Sequence, residues 1–179
     1  MNPVIQAMRE RRSIRAYKPD PVPKELLDQV LEAGLYAPTG MGAQRVITVA
    51  VTDPALRDRL AEVNRQIGGW KDEGFDPFYG APAVLIVLAE ADSFTNVYDG
   101  SLVMANLMLA AHALGLGSCW IHRAKEEFER PEFQALLKDL GIPGDYIGVG
   151  HCILGWPAGP LPEAAPRKEG RVFYADGAQ

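Results

Sequence analysis

The sequence predicts an α+β or mixed α/β sandwich, built as one domain over residues 1–179. Buried-type apolar segments alternate with segments of helical spacing, and the first element is helical. A chain of 179 residues is large enough to bury a core, and it shows no repeat or interdomain linker. Apolar residues make up 47% of the chain and charged residues 23%, which is typical of a folded protein and excludes general disorder.

Capping residues and apolar spacing predict the elements of the first half of the chain. Asn2 and Pro3 suit the N-cap and first position of a helix, and the prolines within residues 19–23 exclude a helix there. After Pro23, leucines and valines recur at helical spacing. We predict helices from Val4 to about Arg12, from Pro23 to Ala37 and from Asp53-Pro54 to about Gln66, and a strand over Val46–Val51. The glycines within Thr39–Ala43 predict a mobile turn.

The second half is predicted to hold three more strands around a long apolar helix. The segment Gly68–Gly80 has no clear period and is a candidate substrate lid. The long helix, capped by Asp99 or a neighbour, is apolar nearly all round, so we expect another subunit to cover part of it. The predicted elements are a strand over Pro82–Ala89, the helix over about Gly100–Leu114, a strand over Ser118–Ile121, helical turns over Lys125–Leu140 and a strand over Tyr146–Leu154. Prolines and basic residues predict an extended C-terminal tail over 157–179.

Charge and hydropathy disfavour several classes of protein. A formal net charge of −5 argues against general nucleic-acid binding, which needs a broad positive face. The N-terminus reaches its charged residues before an apolar core could form, so we expect no signal peptide. The longest apolar stretch, residues 102–116, is interrupted by polar residues and is short for a membrane span. Cys119 and Cys152 are expected to be buried free thiols rather than a disulfide, and we predict a cytoplasmic protein.

Several common chemistries lack their motifs in this chain. There is no GxGxxG after a strand, no GxxxxGK[ST] and no GxSxG elbow, which argues against a Rossmann dinucleotide site, a P-loop and a hydrolase triad. His112, His122 and His151 have no metal-ligand spacing, so we expect no metal. His112 is interpreted as a helix-interface residue.

A dense basic cluster stands near the N-terminus of this acidic chain. The cluster consists of Arg9, Arg11, Arg12, Ser13 and Arg15. A second basic group near the C-terminus consists of Arg167, Lys168 and Arg171. Guanidinium groups and hydroxyls bind phosphate through charge-assisted hydrogen bonds, so the two groups are candidates for one anion site. A solvated basic patch is the alternative, and charge alone does not decide between them.

Four segments, taken in order, indicate a family. RRSIRAY, APTGMGAQ and LMLAAHALGLGSCWI are followed by ILGWPAGP with a terminal PRKEGRVFY, and together they span essentially the whole chain. This pattern resembles the nitroreductase-like flavoprotein family. The resemblance implies an α-β-α sandwich whose central sheet is mostly antiparallel. It also implies an FMN cofactor and a homodimer with two cofactor sites at the subunit interface.

The resemblance assigns the basic residues to the cofactor. Arg11, Arg12, Ser13 and Arg15 match the family's opening motif, which holds the phosphate, ribityl chain and pyrimidine edge of the flavin. Arg15 would lie near flavin N1 and O2, where a cation favours the anionic reduced flavin. Arg167 and Lys168 match the phosphate-contacting pair of the tail, with Arg171 as a weaker third. Arg9 lies outside the motif and is expected to face solvent.

Two further segments match flavin-contacting stretches. Pro38, Thr39 and Gly40 match the loop that reaches the flavin from the other subunit, and Gln44 is a candidate for the ring edge. This loop departs from the family, because many members carry asparagine at the position of Gly42 and Pro-Trp at Arg45-Val46. Trp120, Ile121 and His122 match the stretch whose backbone passes the reactive flavin N5. No catalytic side chain is therefore expected, and His122 is either a spectator or a proton donor to substrate.

The implied activity is ping-pong reduction of nitroaromatic, quinone or related electron-poor substrates by NAD(P)H, through flavin N5. Trp70, Phe75, Phe78 and Tyr79 are candidate aromatic walls for the substrate, with plain packing as the alternative. A dehydrogenase, a reductive dehalogenase and a non-catalytic flavin-binding protein are the competing functions. The sequence does not name the physiological acceptor or a preference between NADH and NADPH.

Overall fold

The computed structural model describes residues 1–175, and the strands of this part form one four-stranded sheet. In chain order they are β1 (Val46–Val51), β2 (Ala83–Glu90), β3 (Gly117–Ile121) and β4 (Tyr146–Gly155). The helices are α1 (Pro3–Glu10), α2 (Lys24–Leu35), α3 (Pro54–Gly68), α4 (Asn96–Ala113), α5 (Ala124–Phe128) and α6 (Pro131–Asp139). The strand order is β1-β2-β4-β3, and each neighbouring pair is antiparallel. The predicted antiparallel sheet is confirmed.

Helices cover both faces of this sheet, which confirms the predicted α-β-α sandwich. Along β2 the side chains of Val84, Ile86 and Leu88 point into one apolar layer, and those of Leu85 and Val87 into the other. The first layer is closed by α3, α5 and α6, and the second by α2 and α4. All residues of β2 from Ala83 to Ala89 are buried, which explains why this strand reads as a continuous apolar run.

Caps set the beginnings of two helices as predicted, but not that of α4. The Asn2 side chain accepts a hydrogen bond from Val4 N at 2.9 Å, and the Asp53 side chain accepts one from Leu56 N at 2.8 Å. Helix α4 begins at Asn96 and its N-cap position is Thr95, so the prediction of Asp99 or a neighbour as its cap is wrong. The buried Asp99 carboxylate instead accepts from Gly40 N at 3.0 Å and from the Thr95 hydroxyl at 2.8 Å.

One side of α4 faces away from the core. Met104 and Leu107 are fully buried, whereas Leu102 is 43% exposed and Tyr98 is 72% exposed. Helix α1 buries none of its residues, although its outer side carries several apolar side chains. Large exposed apolar surfaces of this kind mark interaction sites. The predicted homodimer would cover them, and it stays a prediction.

The second part of the candidate lid Gly68–Gly80 is anchored to the protein body. Asp76 forms an ion pair with the buried Arg57 of α3 and accepts backbone hydrogen bonds from Phe78 at 2.8 Å and Gly80 at 2.7 Å. Phe78 is fully buried and lies under the Arg57 guanidinium, 5.5 Å from ring centroid to Cζ. Its prediction as a substrate wall is therefore wrong, because its ring belongs to the core.

The chain after β4 contains no helix or strand up to residue 175, apart from one bridge between Pro157 and Tyr17. Its residues from Ala158 to Ala175 are exposed. The last four residues of the predicted tail 157–179 lie outside the described part of the chain. Within residues 1–175, each helix is too short or too polar to cross a membrane.

The two cysteines are buried free thiols, as predicted. They lie on adjacent strands, where Cys119 pairs with Ile153 and Cys152 with Trp120. Cys119 points into the layer of α3 and Cys152 into the layer of α4, so the sheet separates the two sulfur atoms. Burial raises the pKa of the Cys152 thiol to about 12.

Native protein is expected to resist thiol alkylation. Both sulfur atoms are enclosed, and a thiol with a raised pKa stays protonated and weakly nucleophilic at neutral pH. Mass spectrometry after treatment with iodoacetamide at pH 8 should show unmodified chains, whereas the same treatment in denaturant should label Cys119 and Cys152. Rapid labelling of folded protein at either cysteine would contradict this expectation.

Candidate functional site

Members of the two basic groups at opposite ends of the chain lie at one open cleft of about 910 Å³. Arg11, Arg12 and Ser13 contribute from the segment after α1, and Arg167 contributes from the tail. The remaining lining residues are Met1, Gln6, Met8, Arg9, Glu10, Ala164 and Ala165. The structure therefore brings together side chains that are far apart in sequence, as a shared anion site requires.

Short pairings with the sheet hold this arrangement in place. Ser13 forms a parallel bridge with Ser118 of β3, and Ile14 N donates to Ser118 O at 3.0 Å. A few residues later, Lys18 N donates to Trp156 O at 2.8 Å and Ala158 N donates to Ala16 O at 3.0 Å. The tail therefore starts beside the arginine segment, which explains how Arg167 reaches the same cleft.

The cleft contains buried hydrogen-bond donors without a protein acceptor. Arg11 Nη1 and Arg12 Nε are both buried, and neither has a hydrogen-bond partner among residues 1–175. The other end of Arg12 is used, because its Nη1 donates to the carbonyl oxygens of Arg9 and Arg11 at 2.7 Å each. Buried donors are nearly always satisfied, and an unpaired guanidinium N–H is strongly favoured by an anionic oxygen. These two atoms fit a phosphate group.

The other predicted basic residues lie outside this lining. Arg15 and Lys168 are exposed and do not border the cleft, and Arg171 is exposed as well. Arg9 is exposed, as expected of a solvent-facing residue, yet it also lines the cleft. Sequence analysis placed Arg9 outside the motif and missed this position. Its position at the end of α1, two residues before Arg11, is the signal that could have indicated it.

The loop after α2 lies at a separate hollow of about 70 Å³, lined by Thr39, Gln44, Val46 and Val103 among others. The predicted mobile turn is a 3₁₀ turn over Gly40–Gly42, in which Gly42 N donates to Thr39 O at 2.9 Å. The turn is held by Gly40 N, which donates to Asp99, and by the Thr39 hydroxyl, which accepts from Gln44 N at 3.0 Å. Pro38, Thr39, Gly40 and Gln44 do not line the cleft that contains Arg11 and Arg12 of their own chain.

Asparagine at Gly42 is expected to be tolerated. Gly42 has a φ of +66°, and a Cβ built there meets no atom within 4 Å. Asparagine adopts this left-handed region more readily than other residues with side chains, so the free energy of unfolding of G42N should stay within about 1 kcal/mol of wild type. Urea unfolding measures this value.

Gly42→Val is the matched control, because a β-branched residue at positive φ should cost about 1–2 kcal/mol. Equal loss in the two variants would show that the added volume, rather than the backbone conformation, limits this position.

The end of β3 carries aromatic and basic side chains. The rings of Trp120 and His122 are 5.9 Å apart, and His122 is exposed. Arg123, the next residue, lies over the ring of Trp70 with its Cζ 5.6 Å from the ring centroid. Trp70 in turn packs against Phe75, and Phe75 against Tyr79. The first part of the candidate lid therefore contacts the end of β3 through Arg123, a residue that no sequence motif indicated.

A comparison with protein families identifies the chain. The sequence profile described as "Nitroreductase family" matches residues 8–156. The chain belongs to the nitroreductase family. The resemblance seen in the sequence is thereby confirmed.

Solved structures and a curated relative agree with this family. A nitroreductase with bound FMN from Bacteroides fragilis is 30% identical, with a TM-score of 0.87, and covers 98% of this chain and 100% of its own. An FMN reductase [NAD(P)H] of Bacillus subtilis is 28% identical over 88% of this chain and 67% of its own length. An iodotyrosine deiodinase bound to FMN and 3-iodo-L-tyrosine is 26% identical, with a TM-score of 0.74 over 97% of this chain and 99% of its own. The family fold thus holds enzymes with different acceptors.

Proposed function

We propose that this nitroreductase-family chain is an FMN-dependent oxidoreductase that uses NAD(P)H to reduce small electron-poor acceptors. Nitroaromatics and quinones are the proposed acceptor classes. The observation that carries the proposal is the pair of buried, unpaired donors on Arg11 and Arg12, in a cleft shared with Arg167. An FMN phosphate supplies the anionic oxygens that these donors lack.

Two groups of residues are proposed to hold the cofactor. Arg11, Arg12, Ser13 and Arg167 bind the phosphate, with Lys168 close in sequence as a further cation. Arg15, although exposed in the single chain, is proposed for the pyrimidine edge of the flavin.

Other segments are proposed to frame the flavin ring. Pro38, Thr39, Gly40 and Gln44 would contribute from a second copy of the chain, because they do not line the cleft of their own chain. The backbone of Trp120, Ile121 and His122 is proposed to border the reactive edge. The exposed apolar side of α4 would form the interface of this homodimer.

The chemistry needs no catalytic side chain. Bound FMN supplies a two-electron relay, in which NAD(P)H loses a hydride to become NAD(P)⁺ and the acceptor gains two electrons with protons from solvent. The chain contributes binding, orientation and exclusion of water. Trp70 and Tyr79, together with Phe75, offer aromatic surface for a flat acceptor at the end of β3.

The test uses purified protein loaded with FMN. Anaerobic addition of NADH or NADPH should bleach the flavin absorption, and a nitroaromatic or a quinone should then restore it. A colourless protein that cannot be reconstituted with FMN would overturn the proposal. Bound FMN without reduction by either nucleotide would indicate a non-catalytic flavin-binding protein instead. Light scattering on the same sample should give twice the mass of the chain.

A second candidate keeps the cofactor and changes the acceptor. The similarity to the deiodinase structure, at a TM-score of 0.74, favours reductive dehalogenation as this candidate. Adding 3-iodo-L-tyrosine to the protein after its bound FMN has been reduced separates the two functions. Reoxidation with release of iodide would support dehalogenation, and reoxidation by nitroaromatics or quinones alone would support the first proposal.

A further inference from the structure

Beneath the end of β3, three polar side chains lie together inside an otherwise apolar layer. Asn64 of α3, Glu127 of α5 and His151 of β4 are each fully buried. Asn64 Nδ2 donates to Glu127 Oε1 at 2.6 Å, and Glu127 Oε2 lies 2.9 Å from His151 Nε2. The distance between Glu127 Oε2 and His151 Nε2 is that of an ion pair, but these two atoms are not aligned for a hydrogen bond. A protein with well-packed apolar residues in place of such a cluster is often at least as stable, so the stability of the fold alone does not account for these three residues.

The cluster is joined to the turn between β3 and α5. Asn64 Nδ2 also donates to the backbone carbonyl of His122 at 2.8 Å. In the same turn, Glu127 N donates to the carbonyl of Arg123 at 3.0 Å. His151 pairs with Ile121 in the β3–β4 ladder, so the cluster lies next to the last residue of β3. The polar contacts therefore converge on the segment that borders the proposed flavin edge.

Holding the His122 carbonyl fixes the direction of the next amide. In a planar trans peptide, the C=O of one residue and the N–H of the next point in opposite directions. Because Asn64 binds the His122 carbonyl from the protein interior, the Arg123 N–H is directed away from the interior. That N–H has no acceptor among residues 1–175. It is thus a fixed, available hydrogen-bond donor.

The conformation of the turn depends on its surroundings. Arg123 has a φ of 82°, a left-handed conformation that is uncommon for a residue with a side chain and persists where neighbouring contacts impose it. Gly148 of β4 lets α5 approach the sheet, since a Cβ there would lie 2.1 Å from the Ala124 carbonyl oxygen. The turn is pressed against β4 and bound to Asn64 at the same time. This double restraint leaves its amide little freedom.

We propose that Asn64, Glu127 and His151 are positioning residues that hold the Arg123 N–H for donation to the bound flavin. The inference rests on the proposed function, because it needs FMN at the end of β3. None of the three side chains reaches the surface, so they act through the His122–Arg123 peptide. Asn64 supplies the contact to that peptide, and Glu127 and His151 hold the Asn64 amide in place.

The test compares FMN-loaded wild type with Asn64→Leu, which has similar volume and no donor. The rate at which bound FMN is reduced, measured by stopped flow with whichever of NADH and NADPH reduces wild type faster, should fall about 10- to 100-fold in N64L. The Kd for FMN should stay within about threefold of the wild-type value. A second readout is the ¹H–¹⁵N signal of the Arg123 amide. Its shift on FMN binding should be present in wild type and lost in N64L.

Two further variants test the role of Glu127 and separate positioning from general loosening of α5. Glu127→Leu removes the oxygen that accepts from the Asn64 amide, so it should lower the reduction rate and weaken the Arg123 amide shift in the same direction as N64L. Gln134→Leu is the matched control, because Gln134 also donates from a side-chain amide to a backbone carbonyl of α5, that of Phe128. Q134L should keep both the rate and the amide shift. If N64L does not fold, Asn64→Ala is measured in the same way.

The outcomes distinguish the inference from the function on which it rests. Wild-type protein that binds no FMN overturns both. If wild type binds FMN and turns over while N64L matches its rate and amide shift, the positioning role is refuted alone. Equal losses in N64L and Q134L also overturn it, because they would show general loosening of α5. An E127L protein with the wild-type rate and amide shift would refute the role of Glu127.

Discussion

Replacing Arg11 with alanine is expected to weaken FMN binding about 10- to 100-fold. The guanidinium of Arg11 carries a buried N–H without a protein acceptor in the arginine cleft, where the phosphate is proposed to bind. A hydrogen bond to a charged group contributes about 1.5–3 kcal/mol, and each 1.4 kcal/mol corresponds to roughly tenfold in Kd. Titration of the apoprotein with FMN, followed by flavin fluorescence, measures the change.

Two companion variants make the Arg11 result specific. Arg11→Lys keeps the charge but loses the planar fork, so its Kd should fall between those of wild type and R11A. Lys138→Ala removes one positive charge from an exposed position on α6, outside the cleft, and should bind FMN like wild type. An R11A protein with wild-type affinity would show that the cleft does not hold the phosphate.

Replacing Arg57 with alanine is expected to lower the free energy of unfolding by roughly 3 kcal/mol, the lower end for removing one partner of a buried ion pair. Arg57 holds Asp76 through an ion pair and donates from Nε to the Ala81 carbonyl at 3.1 Å. The lower end applies because the Asp76 side chain retains 32% exposure to water. Without Arg57, Asp76 loses its ion-pair partner, the Ala81 carbonyl loses a donor, and the packing on Phe78 is lost as well.

Arg59→Ala is the matched control on the same helix. Arg59 pairs with Glu132 at 2.7 Å, but its side chain is 58% exposed, so the pair is worth about 0–1 kcal/mol. Urea unfolding at one protein concentration and saturating FMN compares the two variants, since bound ligand stabilises the folded state. If R57A and R59A have equal free energies of unfolding, Arg57 does not anchor residues 76–81 to the rest of the protein.

The R57A and R59A variants also test which part of the predicted lid, Gly68–Gly80, is anchored to the protein. The segment has glycines, aromatic residues and charges without a period, so its sequence does not distinguish a free loop from an anchored one. The anchor comes from Arg57, which lies on another element, and it encloses Phe78 in the core. Trp70 stays outside this anchor and contacts Arg123 instead. Local sequence could not predict which aromatic side chains remain available to a substrate.

Elements governed by local rules were predicted closely. The strand Val46–Val51 has the predicted bounds, and Asn2 and Asp53 cap their helices. Helix α4 begins earlier than predicted, because Asp99 is used by the loop at Gly40 rather than by its own helix. A carboxylate accepts hydrogen bonds from backbone N–H groups both when it caps a helix and when it contacts a distant loop. The sequence therefore shows that Asp99 can accept such a bond, but not which residue donates it.

The sequence by itself determined the basic residue types of the proposed phosphate site, the family and the order of helices and strands. Each of these depends on neighbouring residues, on local spacing or on motifs that keep their order along the chain. Only the tertiary structure decided that Arg167 joins Arg11 and Arg12, that the strands run in the order β1-β2-β4-β3, and that Asn64, Glu127 and His151 meet behind β3. Those arrangements arise from contacts between distant segments, whose pairing depends on burial and hydrogen bonding in the folded chain.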